Sequence, residues 1–291
     1  MGIDQRFHLP DGRKLGWNIL GDPEGRPLFF FHGTPGSRQM MSESDPLAQI
    51  PGLRWILPDR PGYGLSDPSP GRTLLDWAGD VAALADYLGL RRFSVAGVSG
   101  GAPHACACAY DLGDRIDTTL LFACPSPANF PGATKGMAFA NRLAIFLSER
   151  APGIWRWLGS GQHLAYRKDP EGYLDTIARQ MCSADQPLMQ DPGTRRIFHA
   201  ELEEAFRQSS EGMLSDGPLT MTTKPWGFPL SEISVPVHLW HGEEDILVTR
   251  AMAEHLAQEI PDCRVHFVAR YGHLVTEAPD VLLGIREALA L

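Results

Sequence analysis

The run Arg92-Phe-Ser-Val-Ala-Gly97 reads as a strand, and it leads without a linker into Gly97-Val98-Ser99-Gly100-Gly101 and then into a small-residue helix from Ala102 to about Leu112. A turn this abrupt constrains everything around it. The flanking glycines have a steric cause, since a side chain at Gly97 or Gly101 would collide with neighbouring backbone. A strained strand-to-helix turn also holds a serine oxygen exposed above the edge of a sheet, which makes Ser99 a candidate nucleophile. The bare pattern G-x-S-x-G carries little weight, because a tight turn with an incidental serine satisfies it too. The strand before it and the helix after it supply the rest.

The same alternation repeats along the chain. Strands are expected at residues 7–9, 14–20, 27–31, 53–57 and 116–124, and again at 235–240 and 264–268. Leu74, Leu75, Ala78, Val81, Ala82, Leu84, Ala85 and Leu88 recur at helical spacing, with Thr73 as N-cap and Gly89 as stop; later helices are expected at 249–260 and 277–289. Apolar runs such as Leu28-Phe-Phe-Phe31 lack polar alternation and so belong to strands buried on both faces. These features predict an α/β fold with a mostly parallel central sheet and helices on both of its faces. Between Pro125 and about Pro236 the texture changes to aromatic-bearing helical stretches with no strand. The expected organisation is therefore a core over residues 1–126 and 233–291 with a helical insertion at 127–232. No internal repeat or low-complexity linker separates them, so the insertion should pack on the core.

With 43% hydrophobic and 21% charged residues among 291, the chain has the balance of an ordinary globular protein. Its net charge of -9 offers no footprint for phosphate backbones or anionic lipid, which points to small-molecule substrates and away from nucleic acid and membranes. No apolar run reaches the length of a bilayer span, and residues 1–10 lack the basic and apolar regions of a secretory leader. The five cysteines are scattered without CxxC spacing, which argues against a disulfide framework and a zinc site and suits a reducing cytoplasm. Neither a metal-ligand constellation nor a GxGxxG or Walker pattern is present, so no cofactor is implied. A monomer or homodimer is expected.

A second signal lies at the end of another buried strand, Phe29-Phe30-Phe31-His32-Gly33-Thr34-Pro35-Gly36, where ligands bind in open α/β sheets. With Asp59-Arg60-Pro61-Gly62-Tyr63-Gly64-Leu65-Ser66, the Ser99 turn, the helical insertion, His241-Gly242-Glu243-Glu244-Asp245 and Tyr271-Gly272-His273, the chain resembles the α/β-hydrolase superfamily over nearly its whole length. Within it, the chain is similar to serine esterases, lipases and proline-iminopeptidase-like members whose insertion forms a cap. The resemblance implies Ser99 as nucleophile, His273 as its base and Asp245 as the acid that orients the base. The acid and base follow the nucleophile in the order this fold uses, each just beyond a late strand. Glu243 and Glu244 are rivals for the acid, and Asp245 is preferred because similar proteins place theirs at that point of H-G-x-x-D. By the same resemblance the backbone N–H groups of Thr34 and Gly100 form the oxyanion hole.

Several other residues invite a role. His32 is expected to brace its loop, and Asp59 with Arg60 to anchor neighbouring loops. His104 sits five residues after Ser99 and is a candidate for the substrate pocket, as are Phe139, Trp155 and Trp226 of the insertion, although aromatic residues at helical spacing are more often core. The expected activity is hydrolysis of a small-molecule ester or amide through an acyl-enzyme on Ser99. Peptidase action on an N-terminal residue would need an acid for the free amine, and Glu201, Glu203, Glu204, Glu211 and Asp216 are available. C–C hydrolase, lyase and cofactor-free haloperoxidase chemistry, and a non-hydrolytic binding role, use the same scaffold.

Overall fold

Apolar runs that lack alternation bury both faces of a strand, and the central strands of the sheet are built from such runs, while the edge strands Gln5–His8 and Cys263–Val268 alternate. The computed structural model describes residues 5–291; residues 1–4, where the stretch read for a leader begins, lie outside the described residues. Eight strands, β1 (Gln5–His8), β2 (Lys14–Gly21), β3 (Arg26–Phe31), β4 (Leu53–Pro58), β5 (Phe93–Val98), β6 (Ile116–Phe122), β7 (Val237–Gly242) and β8 (Cys263–Val268), form one sheet in the order β1-β2-β4-β3-β5-β6-β7-β8. β1 and β2 are antiparallel to their neighbours, and the remaining pairings are parallel. Each expected strand is present, with ends that move by one or two residues.

Alternate side chains of one strand feed two different cores. Phe29 and Phe31 of β3 join Ile56, Phe93, Val95 and Leu121 on one face, while Leu28 and Phe30 join Trp55, Leu57, Ala96 and Phe122 on the other. The first face is covered by α1 (Leu74–Tyr87), α2 (Ala102–Asp111) and, later in the chain, the helix Arg250–Glu259. Thr73 begins α1 as the sequence predicts: its hydroxyl accepts from Asp76 N–H and the Asp76 carboxylate accepts from Thr73 N–H, so two otherwise orphaned donors are satisfied. The helix Pro279–Ala288 covers the opposite face through Val281 and Ile285.

Between β6 and β7 the chain forms six helices: α3 (Phe139–Arg150), α4 (Pro152–Ser160), α5 (Gln162–Lys168), α6 (Pro170–Gln180), α7 (Pro192–Ala205) and α8 (Glu211–Thr220). They carry a small core of their own, with Tyr166, Leu174, Met189, Leu202 and Phe206 packed against Leu274. No helix among the described residues is long and apolar enough to cross a membrane.

A buried ion cluster ties these helices to the sheet. Asp216 of α8 is fully buried and accepts from Arg60 Nε at 3.0 Å and its Nη2 at 2.6 Å, from Tyr63 Oη at 3.0 Å, and from a terminal nitrogen of Arg72. Burial alone would raise its pKa, but the two guanidinium charges outweigh that and hold it well below the usual carboxylate range. The Asp59-Arg60 pair divides its work: Asp59 binds Arg38 at 2.8 Å, and Arg60 turns to Asp216. Replacing Asp216 with Asn leaves two buried guanidinium groups without a counter-charge. Asp216→Asn is expected to cost about 3–5 kcal/mol of stability, measured as a lowered midpoint in urea unfolding.

Candidate active site

Ser99 follows the last residue of β5 and opens a short 3-10 turn that leads into α2. Its φ of +51° lies in the left-handed region that non-glycine residues rarely adopt. The turn tolerates nothing bulkier beside it: a Cβ on Gly97 would stand 2.5 Å from the Gly101 carbonyl oxygen, and one on Gly101 would strike the carbonyl oxygen of Phe31. The close approach of this turn to the end of β3 brings Gly100 against the next loop, so that a Cβ on Gly100 would lie 3.5 Å from the Thr34 nitrogen. Thr34 and Gly100, the two expected oxyanion donors, are thus neighbours.

His273 lies beyond β8, and its Nδ1 is 2.8 Å from Asp245 Oδ2. Asp245 is itself oriented, since its other oxygen accepts from Leu247 N–H at 2.8 Å and Val248 N–H at 3.0 Å. Of the three acids in the segment 243–245, Asp245 is the one paired with His273; Glu243 instead binds Arg250. Burial pushes the His273 pKa down, but the Asp245 carboxylate, assisted by Asp185, outweighs it and holds the imidazole above its ordinary value. The same pairing holds Asp245 below the usual carboxylate value, against the effect of its burial.

Ser99, His273, Thr34 and Gly100 line one cavity of about 530 Å³ between the sheet edge and the inserted helices. Its remaining wall is mostly apolar, with Trp155, Ile177, Phe198, Leu202 and Met213 contributed by the insertion. Trp155 is held there by its indole N–H, which donates to the Leu214 carbonyl at 3.1 Å. Among the described residues no cluster of three or more His, Cys, Asp or Glu side chains is placed to hold a metal.

The other three expected pocket residues lie elsewhere. Phe139 is 70% exposed on the outer side of α3, and Trp226 packs into the core beside Phe228. His104 is fully buried on α2 with its Nδ1 2.9 Å from the Gly100 carbonyl, because helical spacing turns it back under the Ser99 turn and away from the cavity. Burial, helped by the nearby Arg60 charge, lowers its pKa to about 3. Its Nε2 lies 3.7 Å from Asp216 without a hydrogen bond. His32 braces its loop: Nδ1 donates to the Gly33 carbonyl at 2.8 Å while Nε2 accepts from Arg60 N–H at 3.1 Å.

Asp185 is a site residue that sequence reading missed. It is fully buried in the loop after α6, and its carboxylate accepts from Gly272 N–H at 2.9 Å and His273 N–H at 2.6 Å. A lone aspartate in Cys182-Ser-Ala-Asp185 carries no pattern that would reveal such a contact across 88 residues.

The model of the alpha/beta hydrolase family matches residues 28–285, which takes in every element of this site. The chain belongs to the alpha/beta hydrolase family. It is 26% identical over 96% of its length to the uncharacterized hydrolase YcgS of Bacillus subtilis, of which it covers 96%. It is 28% identical over 86% of its length to a non-heme chloroperoxidase of Streptomyces lividans, covering 85% of that protein. Among solved structures, the esterase RhEst1 of a Rhodococcus species superposes with a TM-score of 0.70 at 19% identity, over 99% of this chain and 98% of the esterase. Membership of the family accounts for the mostly parallel sheet.

If His273 serves as the base it must be neutral to accept a proton, and activity is then expected to fall as pH drops through its raised pKa. Asp185→Asn removes one of the charges that raises it, and the acid limb of kcat/KM should move to lower pH; an unmoved limb would show that Asp185 acts on the loop alone.

Proposed function

We propose that the protein is a serine hydrolase that cleaves a small-molecule ester, with the insertion 127–232 acting as the cap over its active site. The observation that carries this reading is a serine in a left-handed turn sharing one cavity with a histidine whose far nitrogen is bound by a buried carboxylate. A serine hydroxyl is a poor nucleophile until an imidazole takes its proton, and a carboxylate on the other ring nitrogen fixes the tautomer and stabilises the imidazolium.

In this scheme Ser99 Oγ attacks the ester carbonyl and its proton passes to His273. The oxyanion that forms accepts from Thr34 and Gly100 N–H, donors fixed by the backbone and costing no reorganisation during the reaction. Collapse expels the alcohol, which takes the proton from His273, and leaves an acyl group on Ser99. Water then attacks that ester as His273 accepts its proton, and the second collapse returns the proton to Ser99 and frees the carboxylic acid. The cavity volume and its apolar wall suit a compact, mostly hydrophobic acyl or alcohol group.

Stoichiometric labelling by a fluorophosphonate is expected, and Ser99→Ala should abolish it together with a loss on the order of 10⁶-fold in hydrolysis of p-nitrophenyl esters. Labelling retained in Ser99→Ala would place the nucleophile elsewhere and end this reading.

One observation favours a second reading, an aminopeptidase-like use of the same serine. Of the acids available to bind a free amine, Glu204 is engaged by Arg38 and Arg207, Glu211 by Arg156, and Asp216 by Arg60 and Arg72, while Glu203 is exposed. Glu201 of α7 instead lines the cavity, and burial pushes its pKa up to about 8. An incoming ammonium group would draw it back to the carboxylate. If this reading holds, aminoacyl naphthylamides are turned over and Glu201→Gln raises their KM about ten- to a hundredfold while sparing neutral esters. Inactivity of the natural chain on every aminoacyl substrate would remove it.

A further inference from the structure

The outer surface of α3, α4 and α5 is unusually apolar for a protein exposed to water. Phe139, Leu143 and Phe146 of α3 are 70%, 39% and 58% exposed, and they recur at the spacing that places residues on one side of a helix. Ile154, Trp157 and Leu158 of α4 repeat the pattern, with Trp157 74% exposed, and Leu164 of α5 is 60% exposed. Among the described residues, seven of the nine large hydrophobic side chains exposed to solvent lie on these three helices. Isolated exposed apolar residues need no explanation, but a contiguous group of them marks an interaction surface.

Charge decides what that surface meets. The protein as a whole carries -9, yet residues 139–168 hold five basic side chains, Arg142, Arg150, Arg156, Arg167 and Lys168, against the single acid Glu149. The Glu149 carboxylate is engaged, accepting from Thr222 and Thr223. Arg142 and Arg150 fall in the same stripe as Phe139, Leu143 and Phe146, are exposed, and have no ion-pair partner among the described residues. A second copy of the chain is a poor occupant, because a two-fold contact would enclose two sets of these unpaired arginines in one interface. Aromatic and aliphatic side chains flanked by unpaired arginines match the boundary of an anionic bilayer, where apolar groups enter the acyl region and the basic groups stay among the phosphates.

We infer that the outer face of α3–α5 seats on an anionic phospholipid surface. The seating reaches the active cavity directly, since Asn141, Ala144 and Ser148 on the opposite side of α3 line it. One helix, about 10 Å across, then separates the lipid from the cavity. The overall negative charge predicts no such attraction; the local excess of basic residues over 139–168 supplies it.

Flotation with vesicles tests the inference, and it does not depend on the serine chemistry because Ser99→Ala should float as well as the natural chain. Vesicles of equimolar phosphatidylcholine and phosphatidylglycerol are expected to carry the protein up the gradient, pure phosphatidylcholine is not, and added salt should release it. The double variant Arg142→Gln/Arg150→Gln should weaken partitioning roughly twenty-fivefold, at about fivefold for each charge removed. Phe146→Ser/Trp157→Ser should abolish it, with an unchanged melting temperature showing that each variant is folded. No flotation on the anionic vesicles, or flotation equal on both lipids and indifferent to the arginines, overturns the inference. So does a dimer in sedimentation velocity that Trp157→Ser dissociates, which would assign the face to a second copy.

Discussion

One buried carboxylate, Asp216, makes the rest of the site possible. It neutralises Arg60 and Arg72 in a region from which water is excluded, and a guanidinium left alone there would cost several kcal/mol. Through Arg60 the cluster reaches the loop after β3: Arg60 donates to the His32 and Gly33 carbonyls and, at 2.9 Å, to Thr34 Oγ1, which also lies 3.3 Å from Asp216. The loop that carries Thr34 is therefore held by a residue from the inserted helices. His104, against the Gly100 carbonyl, supports the neighbouring donor from below.

The insertion thus does more than cover a cavity. Asp216 stabilises the loop that carries Thr34, and Asp185 holds the backbone of His273 while its charge helps keep the imidazole basic. Loops at a sheet edge are ordinarily the most mobile part of an α/β protein. Two carboxylates from one inserted segment restrain both loops, so docking of these helices and the geometry of the site are coupled physically. The outer side of the same helices carries the exposed apolar and basic stripe, which links the cavity wall to whatever the surface meets.

Much of this was legible in the chain itself. Period and turn chemistry located the strands within a residue or two, because burial on both faces leaves no polar alternation and glycine must stand where the Ser99 turn meets β3. Thr73 as a helix start followed from the same pattern, whereas the choice of Ser99, Asp245 and His273 as candidate site residues rested on the resemblance to the α/β-hydrolase superfamily. What remained hidden was long-range. Phe139, Trp155 and Trp226 look alike in sequence, since helical spacing reports that a residue has a face and not which face meets a cavity; one lies outside, one in the wall and one in the core.

Local sequence determined the elements and the turn at Ser99, because these depend on backbone sterics and side-chain chemistry within a few residues. Tertiary structure decided which acids are spoken for, with Asp185 and Asp216 committed to distant partners and Glu201 left facing the cavity. It also decided that the apolar stripe of α3–α5 stays exposed on the outside. Both outcomes depend on which groups meet across many tens of residues, and the free energy of a charge is set by that meeting and by the water it excludes.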